Sequence, residues 1–206
     1  MTSFLRLILL AAASSLAGPA PAVETIVFVR HGEKPNQGLG QLNCKGLNRA
    51  LALPSVIERL AAAAGKADGK PDAIFAPDPS DQKEDQGQDY DYVRPLATIE
   101  PTAIVFGMPV NTQIGFDEVK GLATALQVPA YRDGLVVVAW EHKMINKVER
   151  KLLDKHGAEA VEVPKWPGED FDRVDIVTID WSGPESKATF SQTREGLDGQ
   201  LETCPK

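Results

Sequence analysis

The sequence predicts an α/β fold in which a mostly parallel central sheet is flanked by helices on both faces. Two short, wholly apolar segments, 25–29 and 135–140, are typical of strands that are buried on both faces of a parallel sheet. Segments with helical spacing of apolar residues alternate with such strands along the chain. Near the end, 174–179 alternates in polarity, and 188–190 is predicted to pair beside it as an antiparallel edge.

The elements follow one another in the order strand, helix, strand. After the first strand, a helix is predicted over 46–64, which Pro54 would kink or divide. The elements predicted next, in chain order, are strands at 72–76 and 102–106 and helices at 116–126 and 143–155. Between them, the acidic segment 77–92 shows no apolar period, so we expect an exposed loop. Whether this loop covers a binding pocket or extends freely into solvent is open.

Composition is that of a globular protein and excludes several functional classes. Hydrophobic residues make up 43% of the 206 residues and charged residues 25%, which fits neither a disordered nor a fibrous chain. The 22 basic and 29 acidic residues give a net charge of −7. A nucleic-acid-binding protein normally carries a basic face, so this balance argues against nucleic acid as a partner.

The first 22 residues are predicted to be a cleaved signal peptide. One Arg precedes an apolar run of 11 residues, 7–17, and small residues at 20 and 22 match a signal-peptidase site. The alternative, an uncleaved membrane anchor, would need roughly 20 apolar residues. We therefore expect one mature domain over 23–206, periplasmic or secreted, with no membrane association after cleavage.

Export changes what the two cysteines imply. In an oxidising compartment an even number of cysteines favours a disulfide, here between Cys44 and Cys204. Separate free thiols are the main alternative. A catalytic or metal-bound pair is disfavoured because the spacing is not that of a zinc site.

Candidate chemistry lies where the two apolar strands end. The first runs into Arg30 and His31, and the second is followed by His142. In open α/β sheets, ligands bind outside the carboxyl ends of the strands. His156, at a helix end, is predicted to be structural or solvated. Two His beside an Arg make a poor metal site, so no metal or cofactor is expected. A neutral imidazole can instead attack phosphorus, with guanidinium groups holding the phosphoryl oxygens.

Several segments together resemble the histidine phosphatase superfamily, which has the phosphoglycerate-mutase-like fold. The signature is Arg-His-Gly within 29–33, and the segments that resemble other parts of the family are 42–50, 94–98, 139–142, 166–167 and 171–174. The resemblance extends over about 24–190. The chain departs from the family in its acidic insertion before Arg94 and in Lys143, where a small residue is common.

The resemblance implies a role for each matching residue. His31 would be the nucleophile that accepts the phosphoryl group, and Arg30, Arg94 and His142 would bind its oxygens and stabilise the charge of the transition state. A water molecule would then hydrolyse the phosphohistidine. The implied partner is a small phosphorylated substrate.

The proton donor for the leaving alcohol is open among four carboxyl groups. In the family the donor often lies some 25 to 30 residues beyond the second Arg. Asp117 and Glu118 follow Arg94 by 23 and 24 residues, slightly early. Glu33 and Glu141 are rivals because each neighbours a proposed catalytic His.

Three functions are consistent with these patterns. The leading one is an exported phosphatase that hydrolyses phosphate monoesters without a metal. A phosphoglycerate-mutase-type phosphotransferase is a second, which export disfavours because its metabolite is cytoplasmic. A non-catalytic phospho-ligand or protein-binding module is the third. The natural substrate and the oligomeric state leave no readable motif.

Overall fold

A five-stranded sheet runs through the centre of the computed structural model, which describes residues 22–159 and 161–206. Its strands, in chain order, are β1 Val23–Arg30, β2 Ala73–Phe75, β5 Leu135–Trp140, β6 Arg173–Asp180 and β7 Lys187–Arg194. Between β2 and β5 the chain forms a separate two-stranded hairpin of β3 Gln82–Asp85 and β4 Gln88–Asp91. Across the sheet the order is β2-β5-β1-β6-β7.

The strand directions confirm a mostly parallel sheet with antiparallel pairing at one edge. β2, β5 and β1 are parallel neighbours, whereas β6 pairs antiparallel with both β1 and β7. In the β1–β5 register Arg30 lies opposite Trp140, so these adjacent strands end together. Residues that directly follow the two strands therefore enter the same region at one edge of the sheet.

Helices cover both faces of the sheet, as predicted. They are α1 Cys44–Ala63, α2 Arg94–Phe106, α3 Val119–Ala125 and α4 His142–Lys155, with a short 3-10 turn at Pro129–Tyr131. α1 and α2 pack on one face with Val27, Val29 and Val137, while α3 and α4 pack on the other with Ile26 and Phe28. Apolar side chains therefore point to both sides of the parallel strands, because both faces are covered.

The third strand predicted at 102–106 is wrong, since these residues form the last turns of α2. Pro95 at the start of the helix and Gly107 at its end, in the left-handed conformation at φ 65, delimit it. Ile104 and Val105 are 71% and 64% exposed. The β-branched run thus looks like a buried strand in sequence, although its most apolar members face solvent.

The exposed loop predicted at 77–92 is also wrong, because much of it is the β3–β4 hairpin. Gln86 and Gly87 both have positive φ, at 58 and 79, as a tight hairpin turn requires. Asp85 is buried and binds Lys34 Nζ at 2.6 Å and Arg94 Nη2 at 2.7 Å. The pair with Lys34 joins the hairpin to a distant part of the chain, a contact that no local apolar period reveals.

Two sets of contacts fasten the C-terminal segment to α1. The predicted disulfide between Cys44 and Cys204 is confirmed, with an S–S distance of 1.96 Å. One turn later, the Arg49 side chain is fully buried among carboxylates. Its partners, with the nearest N–O distance to each, are Glu195 at 2.6 Å, Glu33 at 2.8 Å, Asp198 at 3.1 Å and Asp172 at 3.4 Å.

The signal peptide predicted at 1–22 lies, but for its last residue, outside the described residues. Within the part of the chain that the structure describes, no helix is both long and apolar enough to cross a membrane.

Candidate active site

The ends of β1 and β5 bring two sequence-predicted segments together. Arg30 ends β1, and the backbone N–H of His31 donates to the Trp140 carbonyl oxygen at 3.1 Å. Glu141 and His142 follow directly as the N-cap and first residue of α4. The first His and the segment that bears the second thus meet at the carboxyl edge of the sheet, where α/β proteins bind ligands.

The His31 imidazole is buried and oriented by its own backbone neighbour. Its Nδ1 lies 2.8 Å from the carbonyl oxygen of Gly32. A carbonyl oxygen only accepts hydrogen bonds, so Nδ1 carries the proton and Nε2 keeps its lone pair. Burial, and secondly the charge of Arg30, hold the His31 pKa well below its ordinary value. The ring is therefore neutral at pH 7, the state in which Nε2 is a nucleophile.

Close backbone packing fixes the turn that follows His31. The Gly32 N–H donates to Thr98 Oγ1 at 2.9 Å, and that hydroxyl donates to the Arg94 carbonyl oxygen at 2.8 Å. A Cβ on Gly32 would lie only 3.0 Å from the backbone of Gly46 in α1. The glycine therefore lets the turn approach α1, and Thr98 couples it to the start of α2.

Arg30 is buried, with part of its guanidinium unpaired. Its Nη1 donates to the Gly168 carbonyl oxygen at 2.6 Å, and its Cζ lies 3.9 Å from the centre of the Phe171 ring. The buried Nε has no hydrogen-bond partner among the described residues. Burial lowers the pKa of Arg30 to about 10, so the group remains charged at neutral pH.

Arg94 presents a second partly unpaired guanidinium from the first turn of α2. Asp85 of the hairpin accepts from its Nη2 at 2.7 Å. Its Nε and Nη1 are buried and lack partners in the described part of the chain, as does the buried Tyr92 hydroxyl. The Arg94 Cζ lies 4.9 Å from the centre of the Tyr92 ring, and that ring meets His31 edge-on at 6.0 Å.

His142 lies beside the carboxylate that begins its helix, although its Nδ1 has no hydrogen-bond partner among the described residues. Its Nδ1 lies 3.0 Å from Glu141 Oε1, while Glu141 Oε2 accepts from the backbone N–H groups of Lys143 and Met144, each at 3.0 Å. Burial would raise the Glu141 pKa, but contact with His142 and the charge of Lys83 outweigh it and lower that pKa to about 2. Glu141 is thus an ionised helix cap.

Glu33, the other carboxyl beside a proposed catalytic His, points away into the Arg49 cluster. Burial would raise its pKa, but its hydrogen bonds from Arg49, at 2.8 and 3.0 Å, outweigh burial and lower it. Neither Glu33 nor Glu141 therefore holds a proton to donate at neutral pH.

Asp117 and Glu118 lie just before α3 and are exposed. They line an open groove of about 730 Å³ together with Ile114 and Val128. Among the described residues, neither carboxylate pairs with the arginines or histidines of the site. The neighbouring Phe116 does reach the site, since its ring lies 5.4 Å from that of Tyr92.

Lys83 of the hairpin is a site residue that sequence reasoning missed. Its Nζ lies 4.7 Å from the centre of the Tyr92 ring and 5.0 Å from that of Phe116. Burial lowers the pKa of Lys83, and its charge in turn contributes to lowering the pKa of His31. The one local signal in the sequence is Gly87, since glycine readily adopts the positive φ that a tight hairpin turn needs.

Unpaired donors define what the site can bind. Among the buried atoms that lack hydrogen-bond partners in the described chain, those of the site are Arg30 Nε, Arg94 Nε, Arg94 Nη1, the Tyr92 hydroxyl and His142 Nδ1. Buried polar atoms are nearly always hydrogen-bonded, and an unsatisfied one costs about 1–3 kcal/mol. These atoms need acceptors, and the arginines and Lys83 add positive charge. The site is therefore suited to an anion with several oxygens, such as a phosphoryl group.

Solved structures share this arrangement of strands and helices. A structure described as mycobacterial hydrolase 1 matches with a TM-score of 0.50 and 11% identity, covering 82% of this chain and 97% of that one. A phosphoglycerate mutase from Bacillus anthracis matches with a TM-score of 0.49 and 12% identity, covering 86% and 95%. At 11% identity the match to mycobacterial hydrolase 1 shows a shared fold, a mostly parallel sheet with an antiparallel edge and flanking helices.

A mycobacterial glucosyl-3-phosphoglycerate phosphatase also matches, with a TM-score of 0.48 and 12% identity over 82% of this chain and 97% of that one. No family model matches the sequence, and no curated protein matches it. At such identities the similarity concerns the fold alone, and the chemistry of this chain rests on its own side chains.

Proposed function

We propose that this protein hydrolyses phosphate monoesters through a phosphohistidine on His31. The observation that carries the proposal is a buried, neutral imidazole surrounded by unpaired guanidinium donors of Arg30 and Arg94. A nucleophilic nitrogen and charge-matched donors are the two requirements of phosphoryl transfer to histidine.

In the first step His31 Nε2 attacks phosphorus. The new P–N bond forms as the bond from phosphorus to the ester oxygen breaks, and the alcohol leaves with a proton from an acid. Arg30, Arg94 and His142 contact the phosphoryl oxygens, and their charge and hydrogen bonds stabilise the transition state. In the second step the carboxylate left by that acid takes a proton from water as the water oxygen attacks phosphorus. The P–N bond breaks, and inorganic phosphate leaves with the acid protonated and His31 neutral again.

The proton donor is proposed to be Asp117 or Glu118. Glu33 and Glu141 are disfavoured because their contacts hold both in the ionised form. Asp117 directly follows Phe116, whose ring packs on Tyr92 at the site wall. A substrate that extends from the pocket along this wall would bring its leaving oxygen toward these carboxyl groups.

The reaction is proposed to need no metal. The charges that would face the phosphoryl group are those of Arg30, Arg94 and Lys83, which repel a metal cation and supply the electrostatic role that a metal plays elsewhere. Among the described residues, no group of three or more His, Cys, Asp or Glu side chains is placed to hold a metal ion.

Export of one domain over 23–206 is part of the proposal. The pattern of the first 22 residues is that of a signal peptide, and the Cys44–Cys204 disulfide is typical of proteins in an oxidising compartment. A cytoplasmic phosphoglycerate mutase would have no use for either feature.

Release of phosphate from an aryl phosphate tests the proposal. We expect turnover by the mature protein with and without EDTA, and a loss of about 10³-fold or more in kcat for His31→Ala, because the nucleophile is gone. His156→Ala is the matched control, since His156 binds Ser186 and Gln127 away from the site. Full activity of His31→Ala would refute a phosphohistidine. Phosphate binding without turnover by the wild type would favour a non-catalytic module.

A further inference from the structure

The exposed face of α4 is strongly basic although the whole chain is acidic, at −7. Its exposed charged residues are Lys143, Lys147, Arg150, Lys151, Asp154 and Lys155, so a single acid accompanies five bases. α1, by contrast, exposes one acid and one base side by side, Glu58 and Arg59. A helix face that is merely solvated usually mixes both signs, as α1 does.

These cations are also free of ion-pair partners. Within the chain as described, no carboxylate lies within 4.0 Å of any of the five basic groups on α4. Arg150 Nη2 instead donates to the Val163 carbonyl oxygen at 3.0 Å, which fixes the position of its guanidinium. Clustered like charges repel one another, and an anionic ligand would relieve that repulsion.

Two adjoining cavities follow this face of α4 away from the phosphate site. The first, about 500 Å³, is lined by His142, Lys147, Arg150, Trp166 and Gly168 among others. It meets the site directly, because His142 belongs to the site and the Gly168 carbonyl oxygen accepts from Arg30. The lining of this cavity carries the cationic side chains of Lys147 and Arg150, which suits a group bearing negative charge.

The second cavity, about 770 Å³, shares Lys147 and Arg150 with the first and continues to Lys120, Lys151 and Lys155. We call the two together the α4 groove. Since α4 rises about 1.5 Å per residue, the groove extends roughly 20 Å from His142 to Lys155. That distance exceeds a single phosphoryl group several times over.

We propose, resting on the proposed function, that the α4 groove binds the leaving group of the substrate and that this group carries further anionic groups. Lys147 and Arg150, which line both cavities, would bind these phosphates or carboxylates. The substrate class is thus an organic phosphate ester with more than one negative group. A nucleic acid or an anionic membrane fits less well, because the net charge of −7 would repel a large polyanionic surface.

Two matched esters test this proposal, phenyl phosphate and dicarboxyphenyl phosphate, which differ by two carboxylates. The readout is the ratio of their kcat/KM values. We expect the wild type to prefer the dicarboxylate by about tenfold, the effect of one or two charge-assisted contacts, and the Lys147→Ala/Arg150→Ala double variant to lose that preference. Lys70→Ala, an exposed charge at the opposite end of the sheet, should keep it.

An equal preference for both esters in the wild type, or a preference that survives in the double variant, would overturn the proposal. If the wild type releases phosphate from neither ester, the proposed function fails but the groove is still testable. Calorimetric titration of the same esters into the wild type and the double variant then gives the same comparison as a ratio of dissociation constants. Tighter binding of the dicarboxylate that requires Lys147 and Arg150 would support the proposal. Equal dissociation constants for the two esters in the wild type, or a preference that the double variant keeps, would refute it.

Discussion

Two buried arginines of this protein differ in what surrounds them. Arg49 is completely buried, and its donors meet carboxylates of Glu33, Glu195, Asp198 and Asp172. Arg94 is 3% exposed and binds only Asp85, which leaves Nε and Nη1 without partners among the described residues. The Arg49 guanidinium is part of a structural cluster of ion pairs, whereas the Arg94 guanidinium has donors that are free to bind a ligand.

Burying a charged group without full hydrogen bonding costs free energy that folding does not recover. A binding site retains unpaired buried donors, despite this cost, because a ligand supplies their acceptors when it binds. The contrast therefore separates a structural arginine from a functional one without reference to sequence similarity. We therefore expect substitution of Arg49 to affect mainly stability and substitution of Arg94 to affect mainly activity.

The largest expected effect comes from exchanging the two arginines for alanine in turn. Arg49→Ala leaves several buried carboxylates without a cation and should lower the free energy of unfolding by about 3–5 kcal/mol. Arg94→Ala removes one of two cations bound to Asp85, which keeps Lys34, so it should cost less stability than Arg49→Ala, while kcat for an aryl phosphate falls by about 10²–10³-fold. Urea unfolding and phosphate release measure both.

Equal destabilisation by the two substitutions would contradict this contrast, as would an active Arg94→Ala variant. Arg94→Lys is the matched control, because it keeps the charge near Asp85 but loses the planar fork. It should retain stability and recover part of the lost activity.

A smaller effect is expected from the disulfide, which belongs to the structural region. Cys44 and Cys204 close a long loop, so Cys44→Ser/Cys204→Ser should lower the free energy of unfolding by about 2–5 kcal/mol. The C-terminal segment that the bond holds also carries Asp198, a partner of Arg49. Thermal unfolding with and without a reductant measures the change. A large loss of kcat in the folded double variant would show that the active site depends on the Arg49 cluster and the C-terminal segment.

The smallest effect concerns Lys83 and appears in the pH dependence. Lys83 lowers the His31 pKa, so Lys83→Met should raise it. Since only neutral His31 attacks, the acid limb of kcat/KM should lie below pH 6.5 in the wild type and move upward in the variant. At neutral pH we expect about a tenfold loss from the missing charge. Rate profiles on one substrate measure the shift, because substrate ionisation is then common to both proteins.

Lys83→Arg is the control for this prediction, because it restores a cation on the hairpin. Its acid limb should return toward that of the wild type. Identical profiles for wild type and Lys83→Met would place the lysine outside the reacting pocket.

Much of the fold followed from local pattern, and the failures share a cause. The apolar strands ending at Arg30 and Trp140 were predictable because burial on both faces leaves a continuous apolar run. The strand predicted at 102–106 failed because the same β-branched residues occur on an exposed helix face. Local composition cannot distinguish these cases when the packing partner is distant.

The candidate site was predictable to a similar extent. Arg30, His31 and His142 stand where strands end, whereas Arg94 was predicted through resemblance to a family rather than through any period. Lys83 was missed because the hairpin that carries it is anchored by ion pairs of Asp85 with Lys34 and Arg94. Ion pairs leave no trace in the local hydrophobic pattern. Asp117 and Glu118 stay a prediction as proton donors.

The central claim is that His31 itself carries the phosphoryl group during turnover. Its most direct test is rapid alkaline quenching of the enzyme with a radiolabelled aryl phosphate, followed by peptide mapping of the label. We expect a label on the peptide containing His31, formed and lost at rates at least equal to kcat, and absent from His31→Ala. A label on another residue, or steady turnover with no labelled enzyme, would contradict it.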